Sequence, residues 1–196
     1  MNNKVQNVLL GVLAIGLIGI TVAYAALTQQ LKIEGTAKVA SSKWDVHFGT
    51  VSAGNAHGYA TAGTLAKTGE TTIAGDIGTL KAPGDSITYT FDIENAGDIN
   101  AIIDTVTGGQ SFTCTSATKS VADAVCKDLT YSIKYTDGNA TIAKGDKLAK
   151  ATNSSTPTKK NVTLTLTYKS TATTVASEDV TVTADPMTIT YVQDAK

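Results

Sequence analysis

The chain has 196 residues, 42% hydrophobic and 17% charged, with 17 glycines, 3 prolines and a formal net charge of −1, the size of one globular domain plus a short extra segment. Its 16 basic residues are all lysine and face 17 acids without blocks of one sign. That excludes a disordered acidic tail, a basic nucleic-acid arm and the planar guanidinium fork that grips phosphates and guanine edges.

Threonine fills 33 positions and aromatics only 6%, a composition that favours strands with a hydroxyl-covered outer face. From Val8 to Leu27 the sequence VLLGVLAIGLIGITVAYAAL carries no charge, behind a short polar head with Lys4 and the amino terminus as its cations. About 20 apolar residues suffice to span a bilayer as a helix. Ala23-Tyr24-Ala25, however, places small residues at the two positions a signal peptidase reads. Residues 1–25 are therefore expected to be a signal peptide cleaved between Ala25 and Ala26, or else a membrane anchor. The product is expected outside the cell or on its surface, touching membrane only through residues 8–27 before processing.

Within residues 26–40, Leu27, Leu31, Ile33, Ala37 and Val39 alternate with Thr28, Lys32, Glu34, Thr36 and Lys38. The pattern predicts an extended strand of about twelve residues. Such a strand can pair at a sheet edge of its own domain. It can also be donated to the sheet of the next subunit, adding main-chain hydrogen bonds and filling a groove with alternate side chains. Head-to-tail donation does not close on itself, so it propagates a filament.

Trp44, Val46 and Phe48 follow, with Trp44 expected as a core anchor because a tryptophan beside alternating apolar residues buries a large area. Ser52–Gly75 is rich in glycine, alanine and threonine and is expected to be an exposed loop. In Ser86–Glu94, Ile87, Tyr89, Phe91 and Ile93 point one way and Thr88, Thr90 and Asp92 the other, the period of a half-buried strand. Ala82-Pro83-Gly84-Asp85 before it and Asn95-Ala96-Gly97-Asp98 after it are turn signals. Cys114 and Cys126, two cysteines at short spacing in a chain expected to be exported, read as one disulfide, with free thiols as the alternative. Ser120–Lys127 is the one helical candidate, with Ser120 as cap and Val121, Ala124 and Val125 on one face. Leu129, Tyr131, Ile133 and Tyr135 alternate up to the Asp137-Gly138 turn. After a second expected loop at Ala149–Lys160 the alternation returns in Val162, Leu164, Leu166 and Tyr168, then in Val180 and Val182, and finally in Ile189 and Tyr191. Short, evenly spaced strands without long amphipathic helices predict an all-β, antiparallel two-sheet sandwich over residues 41–196, with about eight to ten strands.

Catalytic patterns are missing from this reading. His47 and His57 are ten residues apart instead of one helical turn apart around a glutamate, so a zinc protease motif is not formed. A glycine-flanked serine elbow is also missing. Asp92, Glu94 and Asp98 could offer oxygens to a calcium ion, but without a recognised loop spacing. No enzyme activity, cofactor or metal is therefore expected.

The one-lysine signal of the type cleaved by the SipW-like peptidase, the strand after it, Lys43-Trp44-Asp45-Val46-His47-Phe48, Ala82-Pro83-Gly84-Asp85-Ser86-Ile87-Thr88-Tyr89-Thr90-Phe91 and Ile93-Glu94-Asn95-Ala96-Gly97 stand in that order. Together they resemble the TasA/camelysin family over about half of the chain. The resemblance implies a secreted, jelly-roll-like sandwich that polymerises into biofilm-matrix fibres by donor-strand exchange through Leu27, Leu31, Ile33, Ala37 and Val39. The implied partner is the chain itself, head to tail, with an accessory fibre subunit as an additional candidate. Camelysin is described as a metalloprotease, and the histidine spacing here does not carry that activity over. The Ser52–Gly75 insertion and the cysteine pair depart from the family pattern. The rival readings are a membrane-anchored monomeric adhesin or ligand-binding sandwich, and a pilin with a helical apolar core.

Overall fold

The computed structural model describes residues 3, 4, 6, 7, 9–15, 17, 35–153 and 155–194, in two units, Met1–Ala40 and Ser41–Lys196. In the first unit the described residues between 3 and 17 are helical, and Leu9, Leu10, Val12, Leu13 and Ile15 are exposed. Among the described residues no helix is long and apolar enough to cross a membrane. Residues 35–45 carry no regular secondary structure, so the strand expected over 26–40 does not extend through Ala37 and Val39, and Val39 is 96% exposed. Leu27, Leu31 and Ile33 lie outside the described residues, as do Ala23, Ala25 and Ala26.

The second unit is the expected all-β antiparallel sandwich. Its main sheet runs in the order β1 (Val46–Val51), β7 (Ser86–Asn95), β12 (Thr158–Tyr168), β10 (Leu129–Tyr135), and β2 (Asn55–His57) pairs with the start of β7. The opposing layer contains β11 (Lys147–Leu148), β8 (Ala101–Thr107) and β14 (Thr188–Gln193) in that order, and a two-stranded ribbon of β9 (Phe112–Thr115) and β13 (Thr181–Ala184). Two small pairs complete it, β3 (Thr61–Ala62) with β6 (Gly78–Thr79) and β4 (Ala66–Gly69) with β5 (Thr72–Ala74).

The alternation explains the layers. Leu164 lies opposite Tyr89 and Val162 opposite Phe91 in the β7/β12 ladder, so one face of the main sheet is continuous hydrocarbon while Thr88, Thr90, Thr163 and Thr165 cover the other. Ile87, Tyr89, Phe91, Ile93, Ile133, Val162 and Leu164 meet Ala101, Ile103 and Leu148 of the opposing layer in one buried cluster. Burying each large apolar side chain contributes roughly 1.5–3 kcal/mol. Val46 and Phe48 are half-buried against this cluster, and Phe48 meets Phe91 edge to face at 5.7 Å.

Several expectations need correction. Trp44 is not a core anchor: it precedes β1 and is 44% exposed. Ser52–Gly75 is not one loop but holds β2 to β5, each of two to four residues and mostly exposed. The described residues form fourteen strands instead of eight to ten, because these short pairs add to the count. The second expected loop ends early, since β12 begins at Thr158. The helix runs Lys119–Lys127, its N-cap is Thr118 without a side-chain cap bond, and its buried residues are Ala122 and Val125.

The turn signals hold. Gly84 takes φ 98° in the turn before β7, a conformation open to glycine at no steric cost. Asn95, the last residue of β7, is buried, and its Oδ1 accepts from the Gly97 amide at 2.9 Å while its Nδ2 donates to the Ile99 carbonyl at 2.9 Å.

Candidate functional site

An open cavity of about 940 Å³ occupies the end of the sandwich where β10 begins and β12 ends, near the upper limit of the ~300–1,000 Å³ typical of ligand sites. The antiparallel register sets Leu129 opposite Tyr168 and Tyr131 opposite Leu166, and these four side chains line it with Val125 of the helix. Two backbone stretches, 75–81 and 176–184, line it as well.

Each stretch is fixed by a separate set of bonds. On the first, the Tyr89 hydroxyl donates to the Ile77 carbonyl at 3.0 Å, and the buried carboxylate of Asp85 accepts from the amides of Lys81 at 2.7 Å, Tyr59 at 2.8 Å and Ala82 at 2.9 Å. Burial pushes the Asp85 carboxyl up, but the three amide donors outweigh it and hold the group below its ordinary value. Gly78, at φ 125°, approaches the Thr61 carbonyl so closely that a Cβ would collide with it.

The second stretch includes β13, whose ladder with β9 sets Val182 opposite Cys114, and Glu178 accepts from the Thr118 amide at 2.7 Å. Cys114 is bonded to Cys126 of the helix with their Cα atoms 6.0 Å apart. In the chain-entropy account a loop of this length contributes roughly 3 kcal/mol.

Two features make the cavity unusual. Among the described residues β13 has β9 as its one strand neighbour and β6 has β3, so each leaves a strand edge without a ladder. Its hydrocarbon side is Val125, Leu129, Tyr131, Leu166 and Tyr168, while the lining as a whole presents more polar than apolar surface; burial first, with the charge of Asp185, pushes the Tyr131 hydroxyl up to about 12, and burial also raises that of Tyr168. The charged side chains on the lining are Asp76, Glu178 and Asp179 against Lys81.

The other polar clusters are internally matched. On the outer face of β1, β7 and β12, His47 Nδ1 lies 2.7 Å from Asp45 and Nε2 lies 3.6 Å from Glu94, while Lys43 reaches Asp45 at 2.6 Å and Lys159 reaches Glu94 at 2.7 Å and Asp92 at 3.4 Å. The hydrogen bond from Lys43, then those with His47, hold Asp45 below the usual carboxylate range despite some burial. Asp98 accepts from the Lys43 amide at 2.7 Å. The three carboxylates considered for calcium thus engage protein donors. Among the described residues no group of three or more His, Cys, Asp or Glu side chains is arranged to hold a metal ion. A second cavity, of about 270 Å³, is lined by Tyr135, Asp137, Asp146, Lys147, Lys160 and Asn161 among others, and Lys160 Nζ already lies 5.8 Å from the Tyr135 ring centroid.

Sequence reasoning placed Leu166 and Tyr168 in the core, but not the cavity beside them. Among the strands that the alternation did not mark were β8 and β9. In β8 the inward residues Ala101 and Ile103 are followed by Val106, because β14 steps from Tyr191 opposite Ile103 to Thr190 opposite Thr105. That bulge breaks the period of two. The Phe112-Thr113-Cys114-Thr115 alternation of β9 was the available signal for the ribbon. No protein family model, curated protein or solved structure matches the chain.

Proposed function

We propose that the protein is an exported structural subunit that polymerises into extracellular filaments, with residues 26–39 of one copy filling the open cavity of the next. The observation that carries this reading is the cavity itself: an apolar side of Val125, Leu129, Tyr131, Leu166 and Tyr168, flanked by two strands, β6 and β13, that each leave one edge without a ladder. An extended segment answers both needs, pairing its backbone with an edge and burying alternate side chains.

Residues 26–39 have the matching pattern. Leu27, Leu31, Ile33, Ala37 and Val39 supply one face, which Gln29 and Gly35 interrupt, and Lys32 and Lys38 outnumber Glu34 on the other, complementing the three acids and one lysine of the cavity lining. The described part of the segment makes no ladder, and Val39 is exposed. The resemblance of the Lys43–Phe48 and Ala82–Gly97 stretches to the TasA/camelysin family points the same way, as does the uncharged run ending in Ala23-Tyr24-Ala25. No catalytic step is assigned to the protein.

Negative-stain electron microscopy of chains beginning at Ala26 and at Ser41 tests the proposal. Filaments from the first and discrete particles from the second are expected. Discrete particles from both would favour a monomeric surface protein held by residues 8–27.

A further inference from the structure

We infer that the Cys114–Cys126 bond gates assembly by holding one side of the strand-binding cavity in place. This inference rests on the donor-strand reading and adds a condition to it. The β9/β13 ribbon supplies Val182 to the cavity, yet β9 and β13 have only each other as strand neighbours among the described residues. An isolated two-stranded ribbon is marginal in water. Its apolar support is correspondingly small: Phe112, Cys114, Val180 and Val182 are half-buried against Val125, Leu129 and Tyr168.

The disulfide converts this ribbon into a fixed edge. Cys114 lies directly opposite Val182 in the ladder, and Cys126 follows Val125, which itself lines the cavity. One covalent bond therefore joins β9, the strand that carries β13, to the helix. The side-chain bonds that remain are few and exposed: Glu178 with the amide and hydroxyl of Thr118, and Ser111 with Asp185 at 3.2 Å. The main sheet does not depend on the bond, because β7 pairs with β12 over ten residue pairs and β12 with β10 over seven.

Forming the bond removes two electrons and two protons from the two thiols and passes them to a disulfide oxidant, which is released as two thiols. Before that transfer the ribbon opens and the edge that would receive a donor strand is not held. Copies in a reducing compartment then stay apart, and oxidation after export makes them competent to join.

The test uses full-length exported protein carrying Ile33→Asp, which keeps the cavity but lacks a working donor, and the same chain with Cys114→Ala and Cys126→Ala added. A fluorescent synthetic peptide of residues 26–39 is titrated against each by anisotropy, and amide hydrogen exchange is followed on the same samples. The oxidised protein is expected to bind the peptide saturably and the cysteine-free protein at least tenfold more weakly. Protection should be lost in β9 and β13 and kept in β7 and β12. Equal binding by both proteins would overturn the gate while leaving the donor-strand reading intact. Binding by neither would remove that reading and the gate with it. Loss of protection in every strand of the cysteine-free protein would make the disulfide a global staple and overturn the local gate.

Discussion

The two ends of the sandwich are built to different standards. At one, eleven buried residues interlock around Tyr89, Ile103 and Leu164, drawn from both layers. At the other, Val125, Leu129, Leu166 and Tyr168 are buried beside a cavity of about 940 Å³. Protein interiors are normally packed to crystal density, so a domain that fills one end and leaves the other open has its stability concentrated in the first. The open end is free to do something else.

That contrast can be broken most sharply at residue 33. Ile33→Asp is expected to abolish filaments while shifting the unfolding free energy of the monomer by less than about 0.5 kcal/mol, as read by electron microscopy and urea denaturation of one preparation. Normal filaments from this variant would disconnect residues 26–39 from assembly.

Asp85→Ala should cost about 3 kcal/mol or more in urea unfolding, since three amide donors lose their acceptor at once. Its folded-state pKa is depressed, so its stabilisation is complete above the ordinary carboxylate range and is lost as pH falls through the folded value. The parent should weaken below about pH 4, and the variant should show less of that acid dependence.

Leu164→Ala and Leu166→Ala compare the ends directly, because the two leucines share a strand, a face and near-complete burial. Truncation in the filled core is expected to cost about 3–4 kcal/mol, and truncation beside the open cavity about 2 kcal/mol, where less packing is forfeited. Equal costs would mean that the open end is as tightly packed as the other. Trp44→Ala should change stability by less than about 1 kcal/mol, since the ring is 44% exposed.

The legibility of the sequence follows the same division. β7, β10 and β12 were readable because each presents hydrocarbon to one side and hydroxyl or charge to the other over seven or more residues. Both flanking turns announced themselves through Pro83-Gly84-Asp85 and Asn95-Ala96-Gly97. The cysteine spacing announced the disulfide. The strands of the Ser52–Gly75 region were invisible because two to four residues cannot display a period. β8 was hidden by its bulge, and Trp44 was misread because the alternation of Val46 and Phe48 was extended back past the start of β1. The cavity could not be read at all. Its lining comes from segments far apart in the chain, 75–81 and 176–184, and an unladdered edge is a property of the assembled sheet with no mark in local sequence.

The central claim is that residues 26–39 of one copy occupy the open end of another. A photo-crosslinking residue at position 33 of the exported protein, in filaments assembled from isotopically light and heavy chains, tests it most directly. Mixed-isotope crosslinks from position 33 to 129–131, 166–168 or 176–184 are predicted. Crosslinks confined to single chains, or to the threonine-covered outer face of the main sheet, would contradict the account.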